Sequence, residues 1–135
     1  MYLVDTNIIS EARRGTPQAA AWLRSVDPLS IYLSALTFGE IMRGIASKQK
    51  SDPKAATYLT EWLRKLRHDH ADRILPVTDE IAVEWGRLSA IRACGDMSGL
   101  LAATAIVHDL ILVTRNVGDF EDTDVFVINP WETPA

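Results

Sequence analysis

The sequence predicts an α/β fold with a mainly parallel central sheet, because short strand-like segments alternate with helical segments along the chain. Residues 110–114 are nearly all apolar, as expected of a strand that is covered on both faces in a parallel sheet. Hydrophobic residues make up 47% of the chain and charged residues 24%, a balance typical of globular proteins. The 135 residues fit one domain, predicted to cover residues 1–135.

The predicted strands are short runs rich in apolar and β-branched residues. They lie at Tyr2–Val4, Ile31–Ser34, 74–77, 110–114 and 125–128. The segments between them carry apolar residues at helical spacing. Helices are predicted over residues 8–14, 17–26, 36–47, from 53 onward, 81–91 and from about 99 to 108.

Several residues suit the starts of these helices. Pro17 fits a first helical turn, and the side chains of Asp52 and Thr78 can cap the helices that follow them. The helix after residue 53 carries a 3-4 stripe of apolar side chains, predicted to face the core. That stripe consists of Tyr58, Leu59, Trp62, Leu63 and Leu66.

Composition narrows the possible functions. The net charge of −4 argues mildly against nucleic-acid binding by the whole surface, leaves room for a local basic rim, and favours a basic protein partner. The single cysteine, Cys94, excludes an internal disulfide and is consistent with a reducing compartment. No secretory signal is expected after Met1, and the apolar stretch 100–107 is far shorter than the roughly 20 residues that span a bilayer. We therefore expect a cytoplasmic protein without membrane contact.

Two acidic residues are the first candidates for a functional site. Asp5 follows the first predicted strand, and ligands of open α/β sheets gather beyond the carboxyl ends of strands. The same position suits an N-cap of the next helix. Glu40 lies among apolar residues, where a carboxylate is costly unless it is paired or metal-bound. The alternative for Glu40 is a surface position, paired with Arg43 or Arg14.

Two later aspartates are further candidates. Asp119 follows the strand at 110–114 and could face the same cleft as Asp5, or be an ordinary loop or capping residue. Asp96 stands just before the helix expected to begin near Gly99, and a capping role is sufficient to explain it.

Carboxylates that converge on one cleft repel each other, and a divalent cation removes that penalty. Acidic ligands without histidine or cysteine favour Mg²⁺, or Mn²⁺, over zinc. His68 and His70 point about 200° apart on a helix and are both predicted to be solvated. The basic run at residues 64–67 is interpreted as a solvated helix face, with an RNA path as the less favoured alternative.

Five segments in fixed order carry a family resemblance over nearly the whole chain. They are LVDTN at residues 3–7, LSALTFGE at 33–40, LLAATA at 100–105, VTRN at 113–116 and NPW at 129–131. Each segment alone is weakly specific, but their order and spacing together resemble the PIN-domain toxins of the VapC/FitB family.

The resemblance implies a PIN-like three-layer α/β/α sandwich with a mainly parallel sheet. It implies a magnesium-dependent endoribonuclease that acts on RNA as the toxin of a type II toxin–antitoxin module. It further implies a homodimer that a cognate VapB-type antitoxin inhibits, and that contacts operator DNA only through the antitoxin.

The family's acids carry over to this chain with one exception. Asp5 matches the first acid and Glu40 the second. The third normally stands two residues before the LLAATA run, where this chain has Ser98, and a serine cannot supply a negative charge to a metal. Asp96 could replace it at the metal only if the chain curls before the helix begins. In a shared helix, Asp96 and Ser98 point to different sides.

The remaining family positions fall near the fourth predicted strand. Asn116 stands at the fourth position and can bind through its carbonyl oxygen or hold a water, with a further acid at Asp119. Asn7 and Thr114 are expected to support the site. In the implied mechanism, Asp5 and a second acid hold the ion, while Glu40 and Asp119 bind it through water or orient the attacking water.

Ser98 also supports a different function. A PIN scaffold that lacks the third acid could be catalytically impaired and act as an antitoxin-binding or co-repressor subunit.

Overall fold

The computed structural model describes residues 1–91, 95–121 and 123–132, so Cys94 lies outside the described residues. The strands are β1 Tyr2–Val4, β2 Ile31–Ser34, β3 Ile74–Leu75, β4 Ile111–Val113 and β5 Val127–Ile128. They form one parallel sheet in the order β3-β2-β1-β4-β5. In the centre, Leu3 pairs in register with Tyr32 and with Leu112. The predicted parallel α/β sheet is confirmed, with three of its strands shorter than predicted.

Helices connect these strands. They are α1 Thr6–Arg13, α2 Pro17–Ser25, α3 Ala35–Ser51, α4 Pro53–Asp69, α5 Asp79–Ile91 and α6 Asp96–His108. Short 3-10 turns occupy Pro28–Ser30 and Val117–Phe120. Two predicted caps are confirmed, since Asp52 accepts the N–H of Ala55 and Thr78 accepts the N–H of Ile81, both at 3.2 Å.

The helices cover both faces of the sheet. Because successive strand residues point to opposite faces, Leu3 and Leu112 lie on one side and Val4 and Val113 on the other. The leucines pack with apolar residues of α5 and α6. The valines pack with residues of α1, α2 and α4. The predicted three-layer α/β/α sandwich is therefore confirmed.

Helices α3 and α4 pack against each other at the side of the sheet. Ile41 and Ile45 of α3 meet Ala56 and Leu63 of α4 in a small apolar cluster. The predicted stripe on α4 is wrong at Tyr58, whose side chain is 61% exposed. Tyr58 lies two residues from the buried Ala56, about 200° around the helix, so the two cannot share a buried face.

The C-terminal end of α4 departs from prediction at one histidine. His70, predicted to be solvated, is only partly exposed, and its Nδ1 lies 3.0 Å from the carbonyl oxygen of Leu66. This contact with the last turn of the helix withdraws one ring nitrogen from solvent.

Helix α6 begins three residues earlier than predicted. The N–H of Gly99 already bonds to the carbonyl of Gly95 at 2.8 Å, so the helix starts at Asp96, with Gly95 as its N-cap. The predicted capping role of Asp96 is therefore wrong, and Asp96 lies in the first turn. Among the described helices, none alone is long and apolar enough to cross a bilayer, and α5 with α6 qualifies only as a pair bent by 119°.

Candidate active site

Three strand ends meet at one edge of the sheet and form a cleft. Since the strands are parallel, Asp5 after β1, Ser34 at the end of β2 and Thr114 after β4 come to the same edge. The cleft there has a volume of about 280 Å³. Its lining residues are Asp5, Thr6, Asn7, Glu40, Met97, Ser98, Leu101 and Asn116.

Asp5 is the most buried acid of this cleft, with 8% of the residue exposed. Its Oδ1 accepts the backbone N–H of Thr6 at 2.7 Å, so Asp5 caps α1. Its Oδ2 accepts the hydroxyl of Thr114 at 2.8 Å and the side-chain amide of Asn7 at 3.2 Å. The two interpretations of Asp5, helix cap and cleft acid, therefore describe one arrangement.

A polar network fixes the partners of Asp5. The Thr114 hydroxyl oxygen accepts the backbone N–H of Asn116 at 3.1 Å and the Asn7 amide at 3.3 Å. The Asn7 side-chain oxygen accepts the backbone N–H of Arg115 at 3.2 Å. Asn7 and Thr114 therefore lie where supporting residues were predicted, and Asn116 contributes both a backbone donor and part of the cleft wall.

Glu40 reaches the same cleft from α3. Its Oε1 accepts the hydroxyl of Thr6 at 2.7 Å, and the hydroxyl oxygens of Thr6 and Thr37 lie 3.2 Å apart. The predicted alternative, pairing with Arg43 or Arg14, is absent among the described residues, since Arg14 pairs with Glu11. Thr6, which joins Glu40 to the start of α1, was not predicted. Its position directly after Asp5 in the sequence could have indicated that Thr6 lies at the cleft.

The charge of Asp5 is disfavoured by its surroundings. Burial raises the pKa of the Asp5 carboxyl above its ordinary value, and hydrogen bonds from Thr114 and Thr6 offset part of that rise. The negative charges of Glu40 and Asp119 raise the pKa of Asp5 further. A cation near these three carboxylates would favour the ionised form of Asp5.

Ser98 and Asp119 meet at the outer side of the cleft. The Ser98 hydroxyl donates to Asp119 Oδ2 at 3.3 Å, and the Asp119 side chain is exposed. Asp96, two residues before Ser98, is exposed and does not line the cleft. The curl that would bring Asp96 to a metal does not form, because α6 already begins at Asp96. The predicted catalytic and metal-binding roles of Asp96 have no support from this position.

The carboxylate oxygens of Asp5 and Glu40 in the cleft are the type of ligand that Mg²⁺ prefers. Mg²⁺ is commonly bound by one or two carboxylates and keeps several waters. Asp5 Oδ1 accepts one hydrogen bond from the described residues and retains a lone pair, and Glu40 also has lone pairs to offer. Within the described residues, no group of three or more His, Cys, Asp or Glu side chains is placed to hold a metal. Ser98 stands where a further carboxylate would strengthen the site.

The sequence of this chain matches the family described as PIN domain over residues 2–125. The chain belongs to the PIN-domain family. Among curated relatives, "Toxin FitB" of Neisseria gonorrhoeae is 34% identical, over 97% of this chain and 99% of the relative. "VapC ribonuclease Y4jK" of Sinorhizobium fredii is 30% identical, over 98% of this chain and 99% of the relative.

Solved structures of PIN proteins superpose on nearly the whole chain. The structure of FitAB bound to an IR36 DNA fragment gives a TM-score of 0.89 at 33% identity, covering 100% of this chain and 99% of that chain. FitAcB from Neisseria gonorrhoeae gives 0.89 at 35% identity, covering 98% and 100%. The DNA-bound VapBC of Salmonella typhimurium, at 18% identity and a TM-score of 0.77 over 96% and 97%, shows the shared fold. The resemblance to PIN-domain proteins of the VapC/FitB type is confirmed.

Proposed function

We propose that this chain is the toxin of a toxin–antitoxin pair and an endoribonuclease that uses Mg²⁺, or Mn²⁺ in its place. The observation that carries the proposal is the cleft at the carboxyl edge of the sheet, which both Asp5 and Glu40 line. Thr6 connects the two acids, since its backbone N–H donates to Asp5 and its hydroxyl donates to Glu40. A relative named as a ribonuclease, and another named as a toxin, match almost the full chain and support this activity.

Asp5 and Glu40 are the residues that would hold the ion, directly or through water. When bound, Mg²⁺ lowers the pKa of a water ligand and offsets negative charge on a phosphate oxygen. Thr114 and Asn7 keep the Asp5 carboxylate oriented toward the cleft, and Thr6 does the same for Glu40. Asp119 accepts a hydrogen bond from Ser98, which lines the cleft, and would orient a water at the outer side of the cleft.

The partner we propose is a cognate VapB-type antitoxin that inhibits the nuclease. The net charge of −4 suits a partner with a basic segment. The related FitAB was solved bound to a DNA fragment, and we propose that this chain contacts operator DNA only through its antitoxin. A homodimer is proposed on family likeness.

A second candidate function is a catalytically impaired subunit that binds the antitoxin or acts as a co-repressor. Ser98 favours it, since this position supplies a hydroxyl to the cleft and no charge. The absence of a three-acid group among the described residues points the same way.

Cleavage of a labelled RNA with Mg²⁺ tests the first function. We expect cleavage by the unaltered chain that stops with a chelator. Glu40→Gln should lower the rate at least about 100-fold, because a carboxylate that binds or orients a water is lost. Glu61→Gln is the matched control, since Glu61 is exposed on α4 and paired with Arg64. Equal losses in both variants would contradict the role of Glu40.

Ser98→Asp separates the two candidate functions. Added charge beside Asp119 should tighten Mg²⁺ binding about tenfold or more, measured by calorimetric titration, and raise the cleavage rate. Ser98→Asn, which adds a similar side chain without charge, is the control. If neither the unaltered chain nor Ser98→Asp cleaves RNA with any divalent ion, the nuclease proposal is wrong. The absence of Mg²⁺ heat from the unaltered chain would then favour the impaired subunit.

A further inference from the structure

A second cavity adjoins the acidic cleft. It has a volume of about 260 Å³ and lies between α3 and the start of α6. Its lining residues are Ala35, Leu36, Gly39, Glu40, Arg43 and Met97. Because Glu40 and Met97 also line the cleft, the two spaces are adjacent. We call this cavity the Gly39 pocket.

Arg43 gives the Gly39 pocket a positive charge. It lies one helical turn beyond Glu40 on α3, is exposed, and makes no ion pair with any described residue. The protein as a whole carries a net charge of −4, and three carboxylates stand in or beside the neighbouring cleft. An arginine with no ion-pair partner among the described residues suits a phosphate of a strand that enters an otherwise acidic site.

The walls of the pocket suit a flat apolar group. Leu36 and Met97 supply apolar side chains. Gly39 supplies none, and a Cβ built there would meet no atom within 4 Å. The missing side chain therefore leaves open space directly beside Glu40. The volume of about 260 Å³ lies just below the range of about 300 to 1,000 Å³ typical of drug-sized ligand sites, so the pocket suits a small occupant.

We infer that the Gly39 pocket receives one unpaired nucleotide of the RNA, next to the phosphate that is cleaved. Its base packs against Leu36 and Met97, and its phosphate contacts Arg43. The inference rests on the proposed ribonuclease function, and it adds the place at which the protein binds the RNA strand. A splayed, single-stranded nucleotide fits because bases inside an A-form duplex do not present their faces to a protein pocket.

Filling the pocket tests the inference. Binding of a short, unstructured, fluorescent RNA is measured by anisotropy in a chelating buffer, where no cleavage occurs. Gly39→Leu should weaken binding about tenfold, because the leucine side chain occupies the space that the base would fill. Gly44→Leu is the matched control, because Gly44 lies on the same helix, also has open space at its Cβ, and does not line the pocket. Gly39→Ala, which adds one methyl and favours the helix, should weaken binding about twofold to threefold and serves if the leucine variant does not fold.

Removing the charge tests the phosphate contact separately. Arg43→Ala should reduce the slope of log affinity against log salt by about 0.7, the value for one phosphate contact on a single strand. Arg24→Ala, which removes an exposed charge from α2, should leave the slope unchanged. Gly39→Leu should weaken binding without changing the slope.

Three results would overturn the inference. Unchanged RNA binding by Gly39→Leu and Arg43→Ala, with cleavage intact in the unaltered chain, would refute the pocket and leave the proposed function standing. No RNA binding or cleavage by the unaltered chain would end both. Loss of antitoxin inhibition in Gly39→Leu, with RNA binding intact, would assign the pocket to the antitoxin instead.

Discussion

The two walls of the cleft are built in different ways. The inner wall contains Asp5 and Asn7, both bonded to the buried Thr114, and hydrogen bonds of 2.7 to 3.3 Å connect these side chains to each other and to backbone N–H groups. The outer wall contains Ser98, whose hydroxyl makes one side-chain bond of 3.3 Å to the exposed Asp119.

This difference shows where an acid can be replaced. A buried carboxylate such as Asp5 is tolerated only because donors surround it, so its identity depends on several other residues. At the outer wall, solvent meets the hydrogen-bonding needs of each side chain. Ser98 can stand there, where the family resemblance led us to expect an aspartate, without leaving a buried donor or acceptor unpaired.

The largest expected effect comes from the inner wall. If the proposed function holds, Asp5→Asn should lower RNA cleavage at least about 100-fold, since a carboxylate that would hold Mg²⁺ loses its charge. Without divalent ions, the variant should gain stability relative to the unaltered chain as pH rises, because the buried anion is gone. Single-turnover cleavage and chemical unfolding in a chelating buffer measure the two effects.

The pH dependence of that stability difference has a definite sign. The pKa of Asp5 is raised in the folded chain above its ordinary value of 3.8. Below 3.8 the carboxyl is protonated in both folded and unfolded chains and costs nothing. As pH rises through the raised pKa, the folded chain pays for ionisation, so the unaltered chain should lose stability relative to Asp5→Asn. A difference that stays flat with pH would contradict the raised pKa.

Thr114→Val should have the next largest effect. It removes the hydroxyl that donates to Asp5 at 2.8 Å and leaves that oxygen with fewer donors in a buried place. We expect a loss of about 1 to 3 kcal/mol in the free energy of unfolding, larger at neutral than at acid pH, because the bond favours the ionised form. Thr104→Val is the control. Thr104 is also buried, but its hydroxyl bonds within its own helix, to the carbonyl of Leu100, so its effect should not depend on pH.

Asp119→Asn should have the smallest effect. Because Asp119 is exposed, the free energy of unfolding should change by less than about 0.5 kcal/mol. The pKa of Asp5 should fall slightly, since one nearby negative charge is lost. Titration of the Asp5 carboxyl carbon by NMR measures this shift. Glu121→Gln, which removes an exposed charge nearby in sequence, should leave it unchanged, and an equal shift in both variants would mean that general charge, not Asp119, acts on Asp5.

Much of the fold could be predicted because the local sequence patterns favour the same strands and helices that the folded structure contains. The alternation of strands and helices, the buried strand β4 and the caps at Asp52 and Thr78 depend on short-range chemistry. The start of α6 could not be predicted in the same way. A glycine-rich, polar entry gives no helical periodicity, and the bond from Gly99 to Gly95 decides where the helix begins.

The candidate site was predicted in its residues more than in its contacts. Asp5 and Glu40 follow from their positions and from family likeness, and both line the cleft. The less favoured alternative for Glu40 was an arginine partner at the surface, but the partner observed is Thr6. Thr6 and Glu40 lie on different helices, and their separation in the sequence does not indicate that their side chains meet.

The sequence by itself determined the parallel α/β fold, the family, and the acids at positions 5 and 40, because strand and helix patterns are local and the family segments keep their order. Only the tertiary structure decided which of the later acids approach the cleft. It brings Ser98 to Asp119 and turns Asp96 away, because the rotation of α6 about its axis is fixed by the packing of its alanine-rich face on the sheet. It also placed Met97 of α6 across from Gly39 and Arg43 of α3 in the Gly39 pocket, because residues far apart in sequence come together only in the folded chain.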